Sequence, residues 1–471
     1  MISIPLSEYN ELKTLNVSLS EKVNSQAATI ASLIEEVNTL KERINLLNNG
    51  RNSNTSSTPP SHDIGRSNKK NLRIKSGRKT GGQDEHPGYY LEAKEIPDEI
   101  IDYIPDYCSN CGTDLQPVNS EIDIKDSKQE VVIPPIQALY VAHRSHLKTC
   151  PHCNTICKGA IPERLKGPIQ YGSSVSAAVA YFSVVQYIPY KRIATMIGDI
   201  FHIPISQGTV DNMLERSMEK AKPVYSIIQN RIGQSKIVGG DETGCRIANK
   251  KGWFFTWQNS TLTFIASSFS RGYETIEKYF KEGFPKSVYI SDCLPAQLKT
   301  PALYHQLCIV HLLRELTNFD DALSCHWSKE MKQLLQEAIH LKHQFKEEDY
   351  PKDSTDKLPN ATVIDLENRL DILLASDYSN RHQKVQAFTK RLIKNRDSIF
   401  TFLHHFNVAA DNNGSERAIR NVKVKTKVSG QFRTAEGAER FAILRSVIDT
   451  AIKNGQNAYK AIVAIENMAP S

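Results

Sequence analysis

The stretch Lys236-Ile-Val-Gly-Gly-Asp241-Glu-Thr243 decides how this chain is read. An apolar run closing on a carboxylate predicts a buried strand over Lys236 to Gly240 that delivers Asp241 at its tip. Ser287-Val-Tyr-Ile-Ser-Asp292 repeats the pattern, and Glu416 opens a helix in Asp411-Asn-Asn-Gly-Ser-Glu416-Arg-Ala-Ile-Arg420. Two strand-borne aspartates and one helix-borne glutamate can converge on a pair of hard cations, because Mg²⁺ (or Mn²⁺) takes few carboxylates and keeps positions open for phosphate and water. The constellation points to metal-dependent phosphoryl transfer on nucleic acid. Each acid also has a plainer reading: Asp241 as the start of a turn, Asp292 as a residue before the Pro295 turn, and Asn413 with Glu416 as a capping box.

Around these residues the pattern is that of a mixed sheet. Strands are expected over Lys236 to Gly240, Gly252 to Gln258, Thr261 to Phe269 and Ser287 to Ser291, the first and fourth parallel and the middle ones joined as hairpins through turns such as Asn259-Ser260. From Leu312 to about His405 the periodicity is helical, broken near Asp349 to Asn360, which makes a helical insertion ahead of Glu416. Downstream, Arg417, Arg420, Lys423, Lys425, Lys427 and Arg433 form a basic run suited to holding phosphates. A solvated face is the alternative.

The N-terminal part reads as separate modules. Tyr9, Asn16, Val23, Ile30, Val37 and Ile44 alternate with Leu12, Leu19, Gln26, Leu33, Leu40 and Leu47 in heptads. β-branched residues at one position and leucine at the other favour a parallel two-stranded coiled coil, hence a dimer; an amphipathic helix docked on the body is the other option. A Ser-, Asn-, Pro- and Gly-rich linker follows, in which Arg66, Lys69, Lys70, Arg73, Lys75, Arg78 and Lys79 suit an arm lying along DNA phosphates or a solvated tether. Cys108-Ser-Asn-Cys111 and Cys150-Pro-His-Cys153, separated by strand-like stretches at Lys128 to Ile133 and Ala138 to His143, can complete a four-thiolate structural Zn²⁺ site, with Cys157, His143 and His146 as spare ligands. Lys191 to Phe201, a turn over His202 to Ile205 and a helix capped by Ser206 resemble a helix-turn-helix. Val210 and Leu214 would face inward, leaving Gln207, Thr209 and Asn212 for a DNA groove or for solvent.

Composition bounds the class without choosing it. The 471 residues carry 59 Lys and Arg against 52 Asp and Glu, a net charge of +7, so the positions of the basic clusters say more than the total. No secretion signal is seen, and the longest apolar segment, Ala177 to Val185, is too short to span a bilayer, so a cytoplasmic protein with no membrane partner is expected. Nine cysteines argue for reduced thiols and metal sites over a disulfide framework.

Residue by residue, the chain resembles the DDE transposases of the bacterial insertion-sequence family numbered sixty-six. The resemblance is carried by Gly81-Gly-Gln-Asp-Glu-His-Pro-Gly88, the double Cys-x-x-Cys, Asp241-Glu-Thr243, Ser270-Arg-Gly272, Asp292, Cys308-Ile-Val-His311 and Asn412-Asn-Gly-Ser-Glu-Arg-Ala-Ile-Arg420. It implies a multidomain α+β protein with an RNase H-like mixed α/β core, Asp241, Asp292 and Glu416 as the catalytic Mg²⁺ ligands, double-stranded DNA ends and target as substrates, and accessory proteins of the same element as partners. The resulting division is 1–48 coiled coil, 49–90 basic linker, 91–165 zinc ribbon, 166–232 helical DNA-binding region, 233–316 with 400–450 catalytic core, 317–399 helical insertion and 451–471 C-terminal helix and tail. A catalytically silent DNA-binding protein that represses or bridges element ends is the competing reading. Cys308 and His311 lie one helical turn apart, and two ligands being too few for a metal, a packing or hydrogen-bonding role is expected of them.

Overall fold

The computed structural model describes residues 5–48, 91–117, 127–323, 325–350, 358 and 360–468. The basic arm with Lys69, Lys70, Arg73, Lys75, Arg78 and Lys79 lies outside them. The heptad segment is one helix, α1 (Leu6–Asn48), on which Val23, Ile30, Leu33, Val37 and Leu40 are all exposed in the single chain. Between the cysteine pairs the expected strands do not form. The only ladder there, among the described residues, is β1 (Leu147–Thr149) against β2 (Ile156–Lys158), which brackets the second pair. Val131, Val132, Ile133 and Leu139 have the composition of strands but are exposed, with no neighbouring strand among the described residues to take up their backbone groups.

A helical segment leads into the sheet. Helix α2 (Ser173–Ala180) runs on as a π-helical turn over Tyr181–Val185, and α3 (Tyr190–Phe201) ends at His202, whose φ of 54° is left-handed. Then α4 (Gln207–Gly233) begins at Ser206, whose side chain accepts from the Thr209 amide. The two helices and the turn between them lie where expected, with Val210 and Leu214 fully buried.

Five strands form the mixed sheet: β3 (Ile237–Ile247), β4 (Lys250–Gln258) and β5 (Thr263–Ser268), then, after helix α5 (Tyr273–Tyr279), β6 (Phe284–Ser291) and, after helix α6 (Pro295–Lys299), β7 (Ala302–Leu307). The order is β5-β4-β3-β6-β7, antiparallel among the first three and parallel from β3 through β6 to β7. Two points depart from expectation. Strand β7 forms although its Ala-Leu-Tyr-His-Gln-Leu lacks a clean alternation. Strand β3 does not stop at Gly240 but continues to Ile247, so Asp241 sits within a strand and not at its tip. It can continue because β4 pairs with it along its whole second half, closing through a two-residue turn in which Ala248 and Asn249 take φ of 48° and 61°; both central residues left-handed match the right-handed strand twist.

Alternate residues point to two cores, one on each face of the sheet. Val238 and Tyr289 join a core with α2 to α4 and the last helices, whereas Val288 and Ile290 join one with the insertion. The insertion comprises α7 (Ile309–Leu323), α8 (His326–Lys342), α9 (Ala361–Ala375), α10 (Gln383–Lys394) and α11 (Thr401–His404). It is followed by α12 (Asn413–Ser429), α13 (Ala435–Lys453) and α14 (Ala458–Glu466). Arg440 of α13, almost fully buried, ties that helix to α4 through Asp211 at 2.5 Å and Glu215 at 2.7 Å. No helix among the described residues is long and apolar enough to cross a membrane.

The Gly239-Gly240 pair lets α12 close on β3. A Cβ at Gly239 would stand 2.7 Å from Asn412 Oδ1, Ser415 Oγ and Gln258 Nε2. Gly239→Ala is therefore expected to destabilise by about 1–3 kcal/mol through overpacking. Gly198→Ala, on α3 with nothing within 4 Å of the new methyl, should instead stabilise by about 0.5–1 kcal/mol. Urea titrations of both variants measure the contrast, and equal midpoints would contradict the close approach.

Candidate active site

Asp241 and Asp292 arrive on neighbouring parallel strands. The β3–β6 register ends with Gly239 opposite Ile290, and Asp292 directly follows Ser291, the last residue of β6. Glu416 comes from remote sequence, delivered by a chain of hydrogen bonds. The Cys308 amide donates to Ser291 O at 2.9 Å, fixing the β7–α7 junction beside the end of β6. The Ile309 amide donates to Ala410 O at 2.9 Å and the Asn412 amide to Cys308 Sγ at 3.3 Å, so the chain entering α12 lies along that junction. Asn412 Nδ2 then donates to Gly240 O at 2.6 Å, and Asn412 Oδ1 accepts from Ser415 Oγ at 2.6 Å.

The capping-box alternative for Glu416 does not hold. Asn412, not Asn413, is the N-cap and makes no side-chain cap, while Asn413 bonds to Asp411. The Glu416 carboxylate instead faces Arg314 Nη1 at 3.3 Å and His311 Nδ1 at 3.7 Å. His311 Nδ1 also stands 2.9 Å from Asp292 Oδ1, so one imidazole lies between two of the three acids. Its Nδ1 contacts Cys308 Sγ at 3.3 Å while Arg314 Nη1 lies 3.2 Å from Nε2. A guanidinium can only donate, which puts the ring's lone pair on Nε2 and its proton on Nδ1. Burial works against a second proton, but Asp292 and Cys308 outweigh it and hold the His311 pKa well above the ordinary value; in either state Nδ1 keeps its proton.

Burial, then the negative charges of Asp292 and Glu242, push the Asp241 carboxyl far above the usual carboxylate range. Glu242, next along the strand, is already satisfied: Arg271 Nη2 donates at 2.7 Å and Nε at 3.2 Å to one oxygen, Gln297 Nε2 at 3.1 Å to the other. Asp241 has no such cation among the described residues, and the buried Asp292 Oδ1 meets His311 Nδ1 at 2.9 Å outside the geometry of a hydrogen bond. Among the described residues, Asp292, Cys308 and His311 form a group with ligand atoms all within 4.8 Å. The helical-turn spacing of Cys308 and His311 was visible in sequence; their third neighbour, Asp292, was not.

The family model described as "Transposase IS66 family" matches residues 168–440, more than half of the chain. The chain belongs to the IS66 transposase family. No curated protein matches it in sequence. The matched span contains Asp241, Asp292 and Glu416 and ties this family member to DNA transposition, whereas α1 and both cysteine pairs precede it. In each cysteine pair the same turn recurs: Cys108 N donates to Thr113 O at 2.9 Å, and Cys150 N to Thr155 O at 2.8 Å. Hydrogen bonds from Thr113, then from Cys108, bring the exposed Cys111 thiol down to about 7, and Thr155 lowers Cys153 likewise. The pairs stay in separate turns, with no three of these sulfurs within 4.8 Å of one another.

On α4, Gln207 and Asn212 are exposed, while the Thr209 hydroxyl is engaged with Ser206. On α12, Arg417, Arg420 and Lys427 are exposed and Lys423 half-exposed, and Arg433 is exposed beyond it. Lys425 points the other way: its Nζ lies 3.5 Å from Ser183 O, and burial lowers its pKa to about 8. Asn412→Ala removes the bond to Gly240 O and leaves that carbonyl buried without its partner, an expected loss of about 1–3 kcal/mol. Chemical denaturation reads the loss; an unchanged free energy would show that Asn412 does not fasten α12 to β3.

Proposed function

We propose that this chain is a DDE-type DNA transposase that cuts element ends and joins the freed 3′-hydroxyl to target DNA at a site built from Asp241, Asp292 and Glu416. The convergence of these three acids from β3, the end of β6 and the start of α12 carries the reading. Three antiparallel strands followed by two parallel ones support an RNase H-like core. The donor set suits hard divalent cations: carboxylate oxygens, one of them buried beside His311 without a well-formed hydrogen bond, and a carboxyl crowded by like charge. Two such ions, when bound, activate water and stabilise the attacking and leaving oxygens of an in-line displacement. The residues around them orient and exclude. Asn412 and Ser415 hold the start of α12 against β3, and Arg271 neutralises Glu242 so that it does not compete with Asp241.

Arg417, Arg420, Lys423 and Lys427 recur at three- and four-residue spacing along α12 and suit a phosphate track leading from the catalytic acids. Gln207 and Asn212, with the linker residues Lys69, Lys70, Arg73, Lys75, Arg78 and Lys79, are further candidate DNA contacts. The cysteine turns are proposed to close on one Zn²⁺, whose binding energy would draw them together, and α1 to pair with a second copy.

Glu416→Gln keeps shape and removes one negative charge. It should cut Mg²⁺-dependent cleavage and strand joining by on the order of 10²-fold or more, the scale of losing one charge-stabilising group from a preorganised site. End binding should persist. Normal transposition by this variant in cells would move the catalytic assignment to other residues, whereas a purified wild-type chain that binds element ends without Mg²⁺-dependent cleavage would favour the DNA-bridging alternative. Replacing Arg420 or Lys427 with Ala should lower affinity for every DNA sequence and reduce the salt slope by about 0.9 each. Lys425→Met, whose amine is turned inward, should leave that slope unchanged. Filter binding across a salt series checks all three. Cys108→Ser or Cys150→Ser should abolish one equivalent of bound zinc, and a purified wild-type chain without zinc would refute the ribbon.

A further inference from the structure

The geometry points to a second metal site, formed by Asp292, Cys308 and His311, for a transition-metal ion of the zinc class that takes Asp292 away from the hard cations. Its exclusion of the hard cations rests on the catalytic reading of Asp292; its existence does not. The three ligand atoms lie within 4.8 Å of one another, with Nδ1 3.3 Å from Sγ and 2.9 Å from Oδ1. Zinc–nitrogen and zinc–sulfur bonds of about 2.0 and 2.3 Å give tetrahedral edges of roughly 3.3–3.7 Å, so small displacements admit the ion. Glu416 Oε1, 3.7 Å from Nδ1, is within reach as the fourth ligand. If it binds, two of the three catalytic acids are occupied at once.

Ligand chemistry separates this site from the one it overlaps. Mg²⁺ takes oxygen donors, whereas thiolate and imidazole select zinc-like ions. Two further features suit such an ion. Asp292 Oδ1 is buried with the His311 contact lying outside hydrogen-bond geometry, and Cys308 Sγ, buried too, accepts from the Asn412 amide at 3.3 Å, a bond that supports a metal-bound thiolate. The ion takes the place of the proton on His311 Nδ1 and of the thiol proton of Cys308, and both leave to solvent or, for the imidazole, to Nε2. Arg314 then keeps Glu416 as its partner. Occupancy therefore silences the catalytic acids reversibly, making transposition responsive to free zinc-class metal.

The test uses the full-length chain titrated with Co²⁺, whose thiolate charge-transfer band reports sulfur ligation. Wild type is expected to take up one equivalent more than Cys308→Ser and than His311→Gln, and the difference spectrum to contain a one-thiolate band. Equal stoichiometry and equal spectra in folded variants would overturn the site. Should either variant unfold, the wild type decides alone. Its ¹¹³Cd spectrum should show a resonance for a shell with a single sulfur, well upfield of any four-sulfur resonance from the cysteine turns, and its absence overturns the proposal. If the catalytic reading fails, cleavage is lacking while the extra Co²⁺ equivalent remains. If only this inference fails, Mg²⁺-dependent cleavage remains and the extra equivalent is missing.

Discussion

The side chain and amide of Asn412 hold together three parts of the chain that are far apart in sequence. Its amide donates to Cys308 Sγ and its Nδ2 to Gly240 O, so one residue connects the β7–α7 junction, the middle of β3 and the start of α12. Buried, these bonds have no water to replace them, and breaking one leaves an unpaired partner. Everything distinctive about the acidic site follows from that fastening, since Glu416 lies four residues further along a helix whose entry is fixed here. The Gly239-Gly240 pair belongs to the same constraint, because a side chain at Gly239 would occupy the space that Asn412 and Ser415 fill.

The electrostatics divide the acids by role. Glu242 is neutralised by Arg271 and Gln297. Glu416 has Arg314 and His311 nearby, and Asp292 has His311. Asp241 has no cationic contact among the described residues, and burial, then the charges of Asp292 and Glu242, push its carboxyl far above the usual carboxylate range. A cluster of this kind is costly to maintain in the fold and is paired off everywhere except where an external charge can enter. His311 is therefore a resident partner of the acids.

The insertion and the helical segment serve the sheet from its two sides. Alternation along β6 sends Tyr289 into one core and Val288 and Ile290 into the other, so the strand bearing Asp292 at its end is clamped on both faces. Arg440 links α4 to α13, and Tyr187 OH donates to Asn421 of α12 at 2.8 Å. The candidate DNA-reading helix and the helix carrying Glu416 thus belong to one packed body.

Local physics made much of this legible in sequence. Apolar runs ending in Asp241 and Asp292 specify strands, Ser206 and the turn before it specify the α3–α4 pair, and the helical period of the insertion specifies its helices, because each depends on residues a few positions apart. The length of β3 did not follow, since its second half is held by β4 and a left-handed two-residue turn that includes an alanine. The strand-like stretches between the cysteine pairs went the other way, lacking a partner strand. Neither Asn413 as a cap nor Lys425 as an outward charge survived, because a side chain's direction depends on what the helix packs against. Above all, the sequence by itself determined which acids the chain possesses and on which kinds of element they ride. Only the tertiary structure decided that His311, Cys308 and Asn412 stand among them, since those contacts join residues about a hundred positions apart, where no periodicity reaches.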